Sequence, residues 1–479
     1  MGAEGAETLH VSSGWRFGGE VLVNEEQTSR WMPFLRGAAV VAAVAVATLV
    51  GVSRQRMIAA GESPVAHKRI PVYFWHMWSG QWRPSMERVA TDFNASQDKY
   101  EVIPLQVPPA EADSKFLMSV AGGSPPDVMV QWTQAISTWS QDGILQPLDT
   151  HMTPKERDFF QNGTYPVIHQ NGWYKGHLYG LVMGVDVYAC YYRADQFRAA
   201  GLDPDHFPKT LEELTAVGRK LNRKDASGSY TRMGFVPAGF TNYVPAFGGG
   251  FYDPRKDDVL LNTPQNLRAL DYIVDTNKEL GVDKVRRFNA GLKSQNGADW
   301  PFIDGSISIS LDGEWRVQQL KKYAPEVDYR VAPLPPPAGG KPMASFSVTN
   351  FLTIPAGAKH SEGAWEFIKF WSGLDHPESA AKYVTSFAWL PSSPRMAKSP
   401  DYQAFLREYP KYQTFVDLAA SRNLVTTPPV PYQLFLMDRV ATIDDLAMRG
   451  ALTPEQALTK LEKDTARERA RRTELGYDQ

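Results

Sequence analysis

The chain has 479 residues, 43% of them hydrophobic and 22% charged, and a formal net charge of −2. That is enough for two or three domains with a sizeable core, and the near-neutral balance, with no basic stripe, excludes a nucleic-acid binder. The single cysteine, Cys190, excludes an intramolecular disulfide and any cysteine metal cluster, and reads as a small packed hydrophobe.

Residues 1–30 are mostly polar and rich in Gly and Glu. Gly37 to Val52 is then an uncharged, mostly Ala/Val run of 16 residues, with Arg30 and Arg36 before it and Arg54 and Arg56 after it. Slightly long for a signal-peptide core and slightly short for a membrane span, the run predicts an export helix, either cleaved or kept as an anchor. The body of the chain is then periplasmic or extracellular. No cysteine follows the run, which excludes a lipid anchor at that point.

From about His67 onward strand and helix patterns alternate, the signature of an α/β architecture. Strands are expected at 70–75, 101–107, 127–132, 188–192, 306–311 and 346–354. Helix starts are marked by Thr210 with Glu213, by Thr263-Pro264, by Ser361, and by Thr453-Pro454 with Gln456. Gly and Pro gather in loops at 122–126, 248–250 and 334–340, and no internal repeat is visible.

Aromatic residues reach 12%, and many fall where strands end. Trp75, Trp78 and Trp82 follow the first strand, and Trp132 closes the third. Tyr243 and Phe247 precede Gly248-Gly249-Gly250; Trp315 follows Asp312-Gly313-Glu314; Trp389 lies in 386–391. In open α/β sheets ligands collect beyond the carboxyl ends of the strands. Rings and carboxylates at those ends describe a cleft for a flat, hydroxyl-rich guest such as a pyranose. Trp365 and Trp371, at apolar helical spacing, are assigned to the core.

The order of several segments resembles extracellular solute-binding protein family 1, the sugar-binding components of ABC importers typified by maltose-binding protein. The similarity runs from about residue 68 to the end. Its carriers are AGGSPPDVMV (121–130), YKGHLYGLV (174–182), Tyr191-Tyr192-Arg193, FRAAGL (197–202) and PKTLEEL (208–214). Phe302 to Ser306, Gly313-Glu314-Trp315, VAPLP (331–335) and AWEFIKF (364–370) complete the series. Arg193 stands where the family usually has Asn.

This resemblance implies a two-lobed periplasmic-binding-protein fold of type II, closing like a flytrap behind the 1–66 extension. One lobe would comprise 67–184 plus 352–390, the other 185–351 plus 391–479. It also carries roles onto positions. Asp186, seven residues before Arg193, would bond sugar hydroxyls; Trp315 would stack; Trp75, Trp78, Gln131, Trp132, Tyr243, Gly249, Gly250 and Trp389 would line the cleft. The implied protein is a monomer without catalytic residues, metal or cofactor, which delivers a carbohydrate to ABC permease subunits.

Two other classes compete. Asp127, Asp186, Asp312 and Glu314 offer the paired carboxylates of a glycoside hydrolase, and the same fold can serve as an anchored sugar receptor with no transport role. The order of the matched segments favours binding without chemistry, and Asp127 in Pro-Asp reads as a turn-bonding residue. A phosphate ligand would call for several Arg or Lys in the cleft. The strand-end loops carry Trp, Asp and Gly instead, which points to a neutral sugar.

Overall fold

The computed structural model describes residues 69–293, 297–374 and 376–477; the apolar run 37–52 and the rest of the 1–66 extension lie outside the described residues. In chain order the strands are β1 (Ile70–His76), β2 (Tyr100–Gln106), β3 (Val128–Trp132), β4 (Trp173–Tyr174), β5 (His177–Leu178), β6 (Leu181–Arg193) and β7 (Arg223–Lys224). There follow β8 (Tyr230–Phe235), β9 (Tyr252–Asp253), β10 (Asp258–Val259), β11 (Ile307–Gly313), β12 (Tyr329–Ala332), β13 (Ser345–Thr353) and β14 (Leu424–Val425).

β1 pairs in parallel with β2 and β3, the helices Arg83–Ser96 and Pro109–Ala121 supplying the crossovers that parallel strands require. Along β1 the side chains alternate: Val72, Phe74 and His76 are buried, while Tyr73 between them is 46% exposed. The ten-stranded sheet runs β2-β1-β3-β13-β6-β11-β8-β7, with β12 added on β6 and β14 on β13. β4–β5 and β9–β10 are separate hairpins.

β6 organises the whole arrangement. The sequence pattern predicts a strand only at 188–192, whereas β6 spans thirteen residues. Its first half pairs with β13 and its second half with β11 and β12, so tertiary pairing extends it well past the apolar run that betrays it. It is buried on both faces almost throughout, as a strand inside a covered sheet must be.

The core of the described residues divides into two large hydrophobic clusters and a small third one of Met233, Leu280 and Val285. Phe74, Trp139, Phe351, Trp365 and Trp371 belong to the first; Tyr192, Phe235, Tyr243, Leu270 and Leu436 belong to the second. β6 feeds both, giving Ala189 and Tyr191 to the first and Cys190 and Tyr192 to the second, as side-chain alternation dictates.

The expected helix starts are present. Thr453 and Gln456 cap reciprocally, while Thr210 and Thr263 accept from the backbone N–H groups of Glu213 and Asn266. Glu213 turns its carboxylate to the Lys209 N–H instead of completing a box with Thr210. The helix Ser361–Ser372 begins one residue past His360, whose N–H donates to Asp127 Oδ1 at 2.8 Å. Asp127 also accepts from the Tyr73 N–H at 2.9 Å, which makes it a buried tie between β1 and that helix, as its Pro-Asp setting suggested. Among the described residues no helix is long and apolar enough to cross a membrane.

Candidate ligand-binding site

Because side chains alternate along a strand, Gly184, Asp186 and Tyr188 share one face of β6. At about 3.3 Å per residue this line covers about 13 Å. Each of its three positions carries a different chemistry.

At one end, Gly184 leaves room for an indole. A methyl group there would lie 2.7 Å from the Trp389 ring, so only glycine lets that ring settle on the strand. Trp389 is 6% exposed, stacks on Phe387 at 4.2 Å, and receives the edge of half-buried Trp78 at 5.7 Å. Leu390 bridges to Val185, pinning the segment to β6.

In the middle, Asp186 is 9% exposed and accepts from Asn350 Nδ2 at 3.1 Å. Asn350 sits on β13, opposite Gly184. Glu314, fully buried, adjoins Asp186 and takes the Val187 N–H on Oε2 at 3.3 Å. Burial pushes the Asp186 carboxyl up to about 6, against the hydrogen bonds from Glu314 and Asn350. Glu314 is held well above the usual carboxylate range, first by burial and then by the negative charge of Asp186.

At the other end, Tyr188 meets Trp315 edge to face at 6.0 Å. Trp315 opens the helix Trp315–Tyr323, and its ring folds back over Gly313, where a methyl group would stand 2.0 Å away. Behind it Arg316 is committed to Asp312 at 2.9 Å, with its guanidinium over the Trp300 ring at 4.4 Å. Burial raises Asp312, and the Arg316 charge opposes that rise.

Of the residues singled out from the sequence, the structure therefore gathers Trp78, Trp389, Asp186 and Trp315 along one line. Trp75 is partly buried against the first cluster, on the opposite face of β1 from Phe74. Gln131 is 1% exposed and donates to Asp113 Oδ1 at 3.2 Å; Trp132 closes β3 with its backbone opposite Asn350. Tyr243 is packed inside the second cluster against Tyr272, and its hydroxyl is raised by that burial. Gly249 and Gly250 wrap the buried Asn266 amide and border a groove of about 420 Å³ with Val425 and Thr426.

Sequence reasoning missed Tyr188 and Asn350 as candidate site residues, and named Glu314 in the Gly313-Glu314-Trp315 motif and as an acid of the enzyme alternative, not as a ligand-lining residue. Tyr188 stands two residues from Asp186 in a strand, so alternation could have found it. Asn350 carried no such signal, since its place depends on a strand far along the chain. A further groove of about 660 Å³ lies between the β4–β5 and β9–β10 hairpins, with Trp173, Tyr252 and Arg469 on its wall.

A sheet that sets ring, carboxyl and ring along one strand is the makeup of a protein that holds a small solute. Comparison makes this specific. Residues 88–414 match the bacterial extracellular solute-binding protein family, and the chain belongs to it. Its role is that of a receptor outside the cytoplasm and not of an enzyme.

The sn-glycerol-3-phosphate-binding periplasmic protein of Shigella dysenteriae is 23% identical over 416 residues, covering 83% of this chain and 90% of its own. The maltotriose-binding protein of Pyrococcus abyssi is 23% identical over 345 residues, covering 69% of this chain and 68% of its own. Among solved structures, CpMnBP1 with mannotriose bound has 27% identity and a TM-score of 0.70, covering 82% of this chain and 99% of that one. The cyclic α-maltosyl-1,6-maltose-binding protein of Arthrobacter globiformis shares the fold at 19% identity, with a TM-score of 0.67 over 82% of this chain and 97% of its own.

Proposed function

We propose that this receptor binds a neutral sugar or short oligosaccharide along the β6 line, between two lobes made of 67–184 plus 352–390 and 185–351 plus 391–479. The observation that carries the reading is Asp186 set between two aromatic groups, Trp78–Trp389 and Tyr188–Trp315. Sugar C–H faces stack on the rings and hydroxyls donate to the carboxylate. The names of two relatives, maltotriose-binding and mannotriose-bound, support the same ligand class. An affinity near 1 μM corresponds to about −8 kcal/mol, within reach of a few stacked rings and satisfied hydrogen bonds.

Sugar contacts on both lobes would favour the closed form, which a membrane permease of an ABC importer then reads. In this reading the exported chain acts as a monomer, with the 37–52 run as its export segment or anchor.

A second reading comes from the glycerol-phosphate relatives. The chemistry along β6 opposes it: the line offers carboxyls, and the nearby Arg316 is engaged by Asp312. A phosphate placed there would face negative charge without a free guanidinium. Thermal-shift titration decides between them, because a ligand of the native form alone raises apparent stability. Mannotriose or maltotriose is expected to raise Tm and sn-glycerol 3-phosphate to leave it unchanged; the reverse pattern refutes the sugar reading.

A further inference from the structure

We propose that Asp186 and Glu314 hold one proton between them, and that Glu314 is the positioning residue that keeps Asp186 a singly charged acceptor on the ligand line. What Asp186 accepts rests on the sugar reading above; the shared proton does not.

The argument begins with an orphan atom. Glu314 Oε2 has the Val187 N–H, but Oε1 has no hydrogen-bond donor among the described residues, and the side chain is fully buried. A buried carboxylate oxygen without a donor is costly. The neighbour it adjoins, Asp186, is itself a buried carboxyl. Two bare carboxylates in a dry site repel. One proton removes both difficulties: it turns the carboxyl of Glu314 into a donor toward Asp186 and leaves a single negative charge. Burial raises both groups; Asp186 already accepts from Asn350 while Glu314 Oε1 has no donor among the described residues, and that geometry places the proton on Glu314.

Most of the surrounding donors and charges are committed elsewhere, and none of them removes the repulsion between the two carboxylates. On β11 and the helix after it, Asp312 and Arg316 satisfy each other at 2.9 Å. On β6, Tyr188 and Tyr191 are both raised by burial, and the Tyr191 hydroxyl donates to the Gly313 carbonyl at 2.8 Å. From the helices Pro400–Glu408 and Tyr412–Ala419, Tyr402 and Tyr412 feel the Glu314 charge; Tyr402 donates elsewhere, to the Trp389 carbonyl. Tyr412 has a buried hydroxyl with no hydrogen-bond partner among the described residues; a bond from it would satisfy a Glu314 oxygen and leave the repulsion with Asp186 in place. On β13, the Asn350 amide is given to Asp186.

The consequence for recognition is a matter of charge. A doubly charged pair attracts cations; a singly charged one, with its second carboxyl neutral, suits hydroxyl donors. Asp186 is thereby fixed from two sides, by Asn350 and Glu314, and its remaining lone pairs are left for the ligand.

The test compares wild type with Glu314→Gln, whose amide mimics the protonated acid, and Glu314→Met, which removes both functions. On unliganded protein, Tm is followed between about pH 5 and about pH 8, where a raised acid loses stability as pH rises. Wild type is expected to lose Tm relative to Glu314→Gln across that window; parallel curves overturn the shared proton. With mannotriose as probe, calorimetry is expected to show Glu314→Met weakened about tenfold and most of that affinity recovered in Glu314→Gln. Equal weakening in both variants overturns the positioning role. If wild type binds neither mannotriose nor maltotriose, the sugar reading fails by itself, and the unliganded pH curves still decide the proton.

Discussion

The Trp315 indole lies across Gly313, two residues behind it in the chain, so closely that a Cβ at 313 would stand 2.0 Å from the ring. The Gly-x-Trp spacing is thus a packing requirement: the residue that ends β11 must have no side chain for the ring to fold back and meet Tyr188. Trp315→Ala is expected to remove most sugar affinity while changing unfolding stability by less than about 2 kcal/mol, because the ring is only partly buried. Calorimetry alongside chemical denaturation checks both halves; undiminished affinity takes Trp315 out of the site.

Gly184 plays the same part at the other end of the line. Gly184→Ala sets a methyl group against the Trp389 ring at 2.7 Å, and the ring cannot slide away without disturbing Phe387. Overpacking of this kind costs about 1–3 kcal/mol. The expected outcome is a lowered Tm, weaker sugar binding and altered tryptophan fluorescence, since Trp78 leans on the displaced ring. A variant with normal Tm and affinity would show that the contact is soft.

Asp127 should matter to stability and not to binding. It holds the Tyr73 and His360 N–H groups at 2.9 and 2.8 Å from a buried position. Asp127→Ala strands both donors, at a cost of about 2 kcal/mol or more. Denaturation curves are expected to show the loss, and sugar affinity of the folded fraction is expected to match wild type. A tenfold loss of affinity would instead tie Asp127 to ligand.

His76 predicts acid sensitivity. Burial holds it down to about 4, with Glu87 opposing and Arg83 adding to the effect, and its Nδ1 has no hydrogen-bond partner among the described residues. The unfolded chain takes up a proton near pH 6.5 that the folded chain refuses until about pH 4, so stability falls as pH drops through that window, by on the order of 3 kcal/mol. His76→Leu is expected to flatten that fall. This slope is opposite in sign to that of the Asp186–Glu314 pair, so the two are separable by comparing each variant with wild type at every pH. An unchanged acid limb in His76→Leu refutes the assignment.

Much of this was legible in the chain itself, for reasons that differ by element. β1, β3 and β13 announce themselves because one or both faces are apolar, and the helices at 264 and 454 because their caps are local chemistry. The full length of β6 was not legible, since residues 181–187 are a strand only through pairing with β13, more than 150 residues later. In the proposed site, Asp186 and Trp315 are named from spacing and resemblance. Whether a ring faces a groove or a core is decided by partners remote in sequence. Tyr243 stands before a glycine turn exactly as a lining residue would, yet Tyr272, on the helix Pro264–Leu280, encloses it.

The position of β13 also bears on the order of events during synthesis. It inserts between β3 and β6, and the Thr353 hydroxyl reaches the Met129 carbonyl from 224 residues further along. Until that strand emerges from the ribosome, β3 has an open edge and the first cluster lacks Phe351 and Leu352. Such long-range closure is slow, and open edges invite chaperones or wrong partners. A polypeptide built this way stays incompletely folded for most of its translation.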